Sequence, residues 1–212
     1  MCSGRVDLEF IIRAFLKGQD GVFIGGCRLN ECNYITHGNY DALSNTLIGR
    51  KIMQHIGLNP ERLRIEFMSG ADGNLLVEVI NDFTRRVKKL GPIGTGGGID
   101  KSELKFKLEA VRKLVPYLKL VERERLRVPV KSEEAYYDFF ESEDTNKLFN
   151  EIISNKLAIS QIMLLLGEKP LSTSDISKRL DLNPSEVSRH MNTSSRQGLV
   201  KYDSTNKCYA LA

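Results

Sequence analysis

The hydrophobic positions near the start of the chain recur at two different spacings. In DLEFIIRAFLKGQD they follow a helical stripe between Asp7, which suits a helix N-cap, and Gly18, which suits a helix end. The next run, GVFIGG, has no polar alternation and predicts a strand that is buried on both faces and ends at Cys27. A second helical stripe follows in NYDALSNTLIGRKIMQHIGL.

The next segment repeats this order. RLRIEFMS is typical of a strand, and DGNLLVEVINDFTRRVKKLGP is typical of a helix that ends at Gly91. Helix, strand, helix, strand and helix at this spacing predict an α/β fold with an incomplete, parallel, flavodoxin-like sheet. Ligands collect at the carboxyl ends of such strands. If residue 1 itself ends a strand, Cys2, Cys27, Cys32 and Ser69 share that edge.

The middle of the chain, residues 93–155, begins with the glycine-rich stretch IGTGGG, which predicts a flexible break. DKSELKFKLEAVRKLVPYLKLVERERLRV then predicts a basic amphipathic helix, interrupted at Pro116. Its apolar stripe consists of Leu104, Leu108, Val111 and Val115. The stripe fits two alternatives equally well: a helix that packs on its own domain, and a docking helix for a partner subunit. We expect residues 93–155 to be a linker and helical spacer between a domain at 1–92 and another at 156–212.

The last segment, residues 156–212, predicts three helices and a β-hairpin. The first helix ends at Gly167, Ser172 and Asp175 resemble a capping box at the start of the second, and Pro184 suits the first position of the third. LVKYDSTNKCYAL then predicts the hairpin. Together these elements resemble the winged helix-turn-helix domains of ArsR and MarR-like regulators.

The resemblance to winged-helix regulators implies that the third helix enters a DNA major groove and the hairpin contacts the backbone. The candidate DNA-contacting residues are Ser188, Arg189, Asn192, Arg196, Lys201 and Lys207. Eight Lys and Arg residues against five Asp and Glu give residues 156–212 a charge of +3, which is a weak electrostatic footprint. Winged helices also dock proteins, so both kinds of partner stay open.

Composition excludes several classes of protein. The 212 residues are 41% hydrophobic and 27% charged, as in an ordinary globular protein. No apolar run approaches the roughly 18 residues that span a bilayer, and the N-terminus lacks the order of a signal peptide, so we expect a cytoplasmic protein. A net charge of +4 is too small to indicate nucleic acid by itself. No set of residues indicates acid–base or nucleophilic catalysis.

The four cysteines are too few and too unevenly spaced for a secreted disulfide framework. Cys27 and Cys32 form a C-x4-C spacing in a predicted loop, which opens the plant-type 2Fe-2S pattern. Two loop thiols without a ligand fit this spacing equally well. Zinc is a further alternative, since His37 lies close by, although a lone histidine is more often a surface or packing residue. Cys208, on a hairpin strand, fits packing better than a ligand role.

Three stretches, MCSGRVD, GVFIGGCRLNECNYITHGNY and GLNPERLRIEFMS, together resemble the methyl-viologen-reducing hydrogenase delta subunit family over about residues 1–92. The resemblance implies a protein with a 2Fe-2S cluster. It also implies a role in passing electrons between a hydrogenase or formate dehydrogenase and a heterodisulfide reductase, in anaerobic metabolism linked to methanogenesis. At the matching positions it implies that Cys2, Cys27 and Cys32 are cofactor-binding and metal-ligating residues.

The chain departs from the family pattern in two ways. The pattern has histidines where this chain has Arg28 and Asn33. Family members also carry a strand, a C-x-x-C pair, a helix and a further strand before the stretch that matches MCSGRVD. We therefore expect the coding sequence to begin upstream of Met1, with a separate chain or a degenerate copy as the alternatives.

A hypothesis of a different class is a redox-responsive DNA-binding transcriptional regulator. In that interpretation the cysteine-bearing domain senses the redox state and the winged helix acts on DNA. Binding to a duplex, as opposed to assembly with hydrogenase or reductase subunits, distinguishes the two hypotheses.

Overall fold

The protein folds as two compact units in the computed structural model, which describes residues 2–34, 37–95 and 99–212. The units are 1–149 and 150–212. The glycines at 96–98 and the strand end expected at Met1 lie outside the described residues. Within the described ranges, no helix combines the length and apolarity that crossing a membrane requires.

The first unit is a small parallel sheet surrounded by helices. Its elements begin and end as follows: a 3₁₀ turn at Ser3–Arg5, α1 at Leu8–Leu16, β1 at Val22–Gly26, α2 at Asn39–Ile56, a 3₁₀ turn at Pro60–Arg62, β2 at Leu63–Phe67, α3 at Gly73–Leu90, α4 at Lys101–Arg125, α5 at Glu133–Glu141 and α6 at Glu143–Phe149. The predicted order of helices and strands up to residue 91 is therefore confirmed.

The two strands pair in parallel, with Ile24 opposite Ile65, as the predicted α/β class requires. Successive side chains of a strand point to opposite faces of the sheet. On one face, Phe23 of β1 contacts Phe83 of α3 with ring centroids 5.7 Å apart. On the other face, Ile24 and Ile65 are buried. The prediction that β1 is buried on both faces is wrong at Gly25, which is exposed.

Helix α1 shows how local sequence fixes an element boundary. The side chain of Asp7 accepts a hydrogen bond from the backbone N–H of Glu9 at 2.9 Å, which satisfies one of the free donors at the helix start. After the helix, Gly18 adopts a φ of +83°, a conformation that side-chain-bearing residues rarely take. The predicted N-cap and helix end are both confirmed.

Helix α4 corrects the prediction of an interruption at Pro116, because it runs unbroken from Lys101 to Arg125. A proline inside a helix costs about 3 kcal/mol, since it removes a hydrogen bond and crowds the preceding turn. Burying Leu114, Val115 and Leu118 around it contributes about 1.5–3 kcal/mol each, which outweighs that cost.

The apolar stripe of α4 packs on its own domain, against α1 and α2. Of the two alternatives for this stripe, the structure shows a helix that packs on its own domain. Helix α5 extends the packing, since the rings of Tyr40 and Tyr136 lie 5.2 Å apart and Phe140 is buried. This burial carries the first compact unit to Phe149, inside the stretch 93–155 for which the sequence predicts a linker and helical spacer.

The second unit contains three helices and an antiparallel hairpin. Its elements are a π-helical turn at Asn150–Ser154, α7 at Asn155–Glu168, α8 at Thr173–Leu180, α9 at Pro184–Arg196, β3 at Val200–Asp203 and β4 at Cys208–Leu211. The predicted capping box between Ser172 and Asp175 is present, and Pro184 is the first residue of α9. Helix α7 runs one residue beyond Gly167. The core consists of Ile162, Leu166, Ile176, Val187, Met191 and Val200.

The buried His190 of α9 gives this unit a pH dependence. Burial lowers the pKa of His190, Arg189 lowers it further, and Glu186 opposes both. The unfolded imidazole takes up a proton near pH 6.5, while the folded one resists protonation, so stability should fall as the pH drops below about 6.5. We expect the urea midpoint of this unit to fall more from pH 7 to pH 5 than it does in His190→Gln. Equal falls in the two proteins would contradict the prediction.

Candidate functional site

Cys2, at the start of the chain, comes together with the C-x4-C pair Cys27 and Cys32 at one place in the first unit. The Sγ atoms of Cys2 and Cys32 lie 3.7 Å apart. The Cys27 and Cys32 thiols also lie close enough for each to shift the pKa of the other. Cys2 and Cys32 are partly buried and Cys27 is exposed, while Cys208 lies on β4 of the second unit. The structure thus brings together the three cysteines that the sequence analysis singled out.

The site forms where the parallel strands end. Cys27 directly follows the last residue of β1, and the backbone N–H of Met68 donates to the carbonyl of Gly26 at 2.8 Å, just past the end of β2. Cys2 stands at the start of the first 3₁₀ turn, where its sulfur accepts the N–H of Gly4 at 3.4 Å. This is the edge at which ligands bind in open α/β sheets.

Two glycines allow the segments that carry the cysteines to approach each other closely. A Cβ added to Gly4 would lie 2.4 Å from the carbonyl oxygen of Gly38. A Cβ added to Gly38 would lie 2.7 Å from the sulfur of Cys32. Both distances are shorter than real Cβ contacts, so the site requires glycine at these positions because of space.

Asn39, the first residue of α2, fixes the backbone of the cysteine loop. It is 1% exposed, and its Nδ2 donates to the carbonyl oxygens of Cys27 at 2.9 Å and Arg28 at 2.7 Å. The same nitrogen lies 3.7 Å from the Cys27 sulfur. Sequence reasoning missed Asn39, and the available signal was an amide directly after Gly38 at a predicted helix start.

We expect Asn39→Ala to destabilise the first unit by about 1–3 kcal/mol, because it leaves two loop carbonyls without their donor. It should also make Cys27 react faster with a thiol reagent, since the loop loses its anchor. Urea unfolding and labelling kinetics measure the two effects. The matched control is Asn81→Ala, at an exposed position of α3. Equal behaviour of the two variants would show that Asn39 does not hold the loop.

Tyr40 connects the cysteine loop to the segment after α4. Its hydroxyl lies 2.8 Å from the carbonyl oxygen of Lys131 and 3.0 Å from Oδ1 of Asn30. Asn30 adopts a φ of 69°, which asparagine tolerates better than most residues. Residues beyond the α/β segment therefore help to hold the loop.

The electrostatic surroundings of Cys27 and Cys32 shift the pKa values of these two thiols in opposite directions. The backbone N–H of Tyr34 lowers the pKa of Cys32, and the N–H of Asn39 and the two neighbouring thiols act in the same direction. Partial burial of its sulfur raises the pKa of Cys27, although the residue is exposed as a whole, and Cys32 raises it further. The thiolate, which is the form that binds metals, is thus more favoured at Cys32 than at Cys27.

Arg28 and Asp72 tie the cysteine loop to the end of β2. The guanidinium donates to both carboxylate oxygens, with Nη2 at 2.9 Å from Oδ1 and 2.8 Å from Oδ2. Asp72 also accepts the N–H of Ser69 at 2.7 Å, and this bond, more than Arg28, lowers its pKa. Ser69 therefore lies at the predicted edge.

His37, the histidine considered as a zinc ligand, contacts a carboxylate: its Nδ1 lies 3.1 Å from Oδ2 of Asp41, and its side chain is 85% exposed.

The chemistry of these donors suits a thiolate-bound metal centre. Thiolates are the ligands of iron–sulfur clusters, and such a cluster usually takes four, of which Cys2, Cys27 and Cys32 could provide three. Across residues 2–34, 37–95 and 99–212, however, no three His, Cys, Asp or Glu side chains form a ready metal-ligand arrangement. The donor types fit, while the ligand positions do not yet match a bound metal.

The candidate DNA-contacting residues lie on one side of the second unit's α9 and on its hairpin. Ser188, Arg189, Asn192 and Arg196 line a shallow groove. The side chain of Arg189 is restrained by a hydrogen bond, because its Nη2 donates to Oδ1 of Asn155 at 3.1 Å. On the hairpin, both Lys201 and Lys207 are exposed.

Two families match separate parts of the chain. The family described as methyl-viologen-reducing hydrogenase, delta subunit, matches residues 1–91. The family described as bacterial regulatory protein, arsR family, matches residues 160–202.

The relatives of the first segment belong to hydrogenases and reductases. The iron-sulfur subunit of the F420-non-reducing hydrogenase of Archaeoglobus profundus is 45% identical over 91 residues, which are 43% of this chain and 66% of that protein. The vhu iron-sulfur subunit of the F420-non-reducing hydrogenase of Methanococcus maripaludis is 44% identical over 91 residues, 43% of this chain and 67% of that protein.

A third relative is a much longer protein. It is one of the subunits of the ferredoxin/F(420)H(2)-dependent CoB-CoM heterodisulfide reductase of Methanosarcina acetivorans, and it is 44% identical over 95 residues, which are 45% of this chain and 12% of that protein. The chain therefore spans about two thirds of the hydrogenase subunits and about an eighth of the reductase subunits that it matches.

Proposed function

Through residues 1–91 the chain belongs to the methyl-viologen-reducing hydrogenase delta subunit family, and we propose that it is an iron–sulfur electron-transfer subunit. The observation that carries this proposal is the convergence of Cys2, Cys27 and Cys32 at the carboxyl ends of β1 and β2. We assign the cofactor as a 2Fe-2S cluster, which when bound supplies one-electron transfer.

The residues of this chain hold and tune that cluster. Cys2, Cys27 and Cys32 bind iron, and a fourth ligand comes from outside this trio. Asn39 orients the loop through two backbone carbonyls, and the N–H of Gly4 donates to the Cys2 sulfur. Hydrogen bonds to ligand sulfurs and partial burial set the reduction potential of such a centre.

The proposed electron route runs between a hydrogenase or formate dehydrogenase and a heterodisulfide reductase, in the cytoplasm. The names of the hydrogenase and heterodisulfide reductase relatives support those two ends of the route. In the reductase relative the matching segment is part of a much longer chain, which favours direct assembly with a reductase here.

Anaerobic affinity purification of the full chain from its own cells tests this assignment. We expect hydrogenase or heterodisulfide reductase subunits to remain bound and to reduce the cluster when hydrogen or formate is supplied. A chain that carries its cluster but elutes free of both kinds of enzyme would overturn the assignment of partners.

A second candidate function is a redox-responsive transcriptional regulator. The arsR family match at residues 160–202 and the polar groove of α9 favour it. In this version, the state of the cysteine site governs binding of the winged helix to DNA. Residues 1–91 have their relatives among redox enzymes, which is why we place this function second.

Arg189→Ala tests the DNA interface. If Arg189 contacts a base edge or phosphate, its loss should weaken binding to a duplex from the gene's own upstream region by about 1–3 kcal/mol. A phosphate contact would also lower the slope of log affinity against log salt by about 0.9. Arg189→Lys is the matched control, because it keeps the charge and should restore a phosphate contact. Titrations at several salt concentrations measure both quantities, and unchanged affinity in Arg189→Ala would contradict this interface.

A further inference from the structure

Among the converging thiols, Cys2 and Cys32 are in direct contact, with their sulfurs 3.7 Å apart. A disulfide has a sulfur–sulfur bond of about 2.05 Å, so closing the pair requires a relative movement of about 1.7 Å. Both residues precede irregular or 3₁₀ backbone and not the interior of a helix or strand. The bond can therefore form by small adjustments of the two side chains and their loops.

We propose that Cys2 and Cys32 form a reversible disulfide when the cluster is absent, and that this bond blocks cluster assembly until it is reduced. The inference rests on the proposed function, since it concerns the same thiols. It adds redox control of cluster assembly. The oxidised chain lacks two of its three cysteine ligands, and the reduced chain regains them. A Cys2–Cys32 pairing in the metal-free, oxidised protein is its direct consequence.

The oxidant is a small organic disulfide. The Cys32 thiolate attacks one sulfur of this reagent, which forms a mixed disulfide on Cys32 and releases the other half as a thiolate. The Cys2 thiolate then attacks the Cys32 sulfur and expels the second half. The two protein thiols lose two electrons and two protons, and the reagent gains them as two thiols.

Geometry favours Cys2 over Cys27 as the partner of Cys32. The loop backbone at Cys27 is fixed, because its carbonyl and that of Arg28 both accept from the buried Asn39 side chain. Among the residues that the structure describes, the carbonyl of Cys2 accepts only the turn bond from the N–H of Arg5, at 3.0 Å. Its sulfur already points at Cys32, with the Gly4 N–H as a further contact.

The test uses the full-length chain, freed of metal under anaerobic conditions, fully reduced, and then exposed to bis(2-hydroxyethyl) disulfide. Free thiols are alkylated and the protein is digested without reductant for mass spectrometry. We expect a linked peptide pair containing Cys2 and Cys32, with Cys27 and Cys208 alkylated. The pair should persist in Cys27→Ser and Cys208→Ser and disappear in Cys2→Ser.

A second measurement follows loading. Oxidised and reduced portions of the same sample are offered iron and sulfide without further reductant, and we expect the oxidised portion to take up far less iron. A main product joining Cys27 to Cys32, or full iron uptake by the oxidised as well as the reduced portion, would overturn the inference. If the disulfide forms but the reduced chain never binds iron, the proposed function fails while the disulfide stands. If the reduced chain binds iron and no disulfide forms, only this inference fails.

Discussion

Replacing Cys32 by serine should leave the first unit folded but remove nearly all of its bound iron. Cys32 is the cysteine whose pKa the backbone N–H of Tyr34 lowers, and it interacts with both other thiols. A serine hydroxyl has similar size but is a far poorer iron ligand than a thiolate. We expect iron per chain to fall to near background, with the circular dichroism spectrum unchanged.

The matched control is Cys208→Ser, which removes a thiol from the second unit. It should keep the full iron content, because Cys208 lies on a hairpin strand and is not one of the converging cysteines. Iron is measured by a colorimetric assay on protein purified without oxygen. Retention of full iron by Cys32→Ser, or its loss in Cys208→Ser, would place the centre elsewhere.

The second large effect is expected from a single methyl group at Gly4. Alanine there would bring its Cβ to 2.4 Å from the Gly38 carbonyl oxygen, and backbone must move to relieve this overlap. Overpacking of this kind typically costs about 1–3 kcal/mol. Because Gly38 also contacts Cys32, the shift should separate the Cys2 and Cys32 sulfurs and prevent both cluster binding and their disulfide.

Gly70→Ala is the control for this prediction, because a Cβ at Gly70 meets nothing within 4 Å. It should change the free energy of unfolding by no more than about 0.5 kcal/mol. Urea unfolding and iron content of the two variants are compared with the natural chain. If Gly4→Ala matches Gly70→Ala in both respects, the close approach of the two segments does not matter for the site.

Local features of this fold were predictable because they depend on neighbouring residues. The Asp7 cap is a contact within one helical turn, and the Ser172–Asp175 capping box is another. The parallel pairing followed from the alternation of helices and strands. These signals need no knowledge of which distant residues meet.

Features that depend on distant contacts were missed. The continuity of α4 through Pro116 depends on burial against α1 and α2, which local propensity does not report. Asn39 was missed for the same reason, because its side chain acts by donating hydrogen bonds to two carbonyls about a dozen residues away.

The candidate site was predictable in its members but not in its construction. Motif resemblance named Cys2, Cys27 and Cys32, yet it did not explain Arg28, which appeared only as a departure from the family pattern. The structure gives that departure a role, because Arg28 forms a two-oxygen ion pair with Asp72 next to Ser69. A charged pair across 44 positions cannot be read from local sequence.

The most direct test of the central claim is iron and acid-labile sulfide analysis of the full chain, prepared without oxygen, together with EPR spectroscopy after reduction. We expect about two iron and two sulfide per chain and an EPR signal from a reduced 2Fe-2S cluster. The signal should be lost in Cys32→Ser and kept in Cys208→Ser. A reduced, reconstituted chain that holds neither iron nor sulfide and gives no signal would contradict the account.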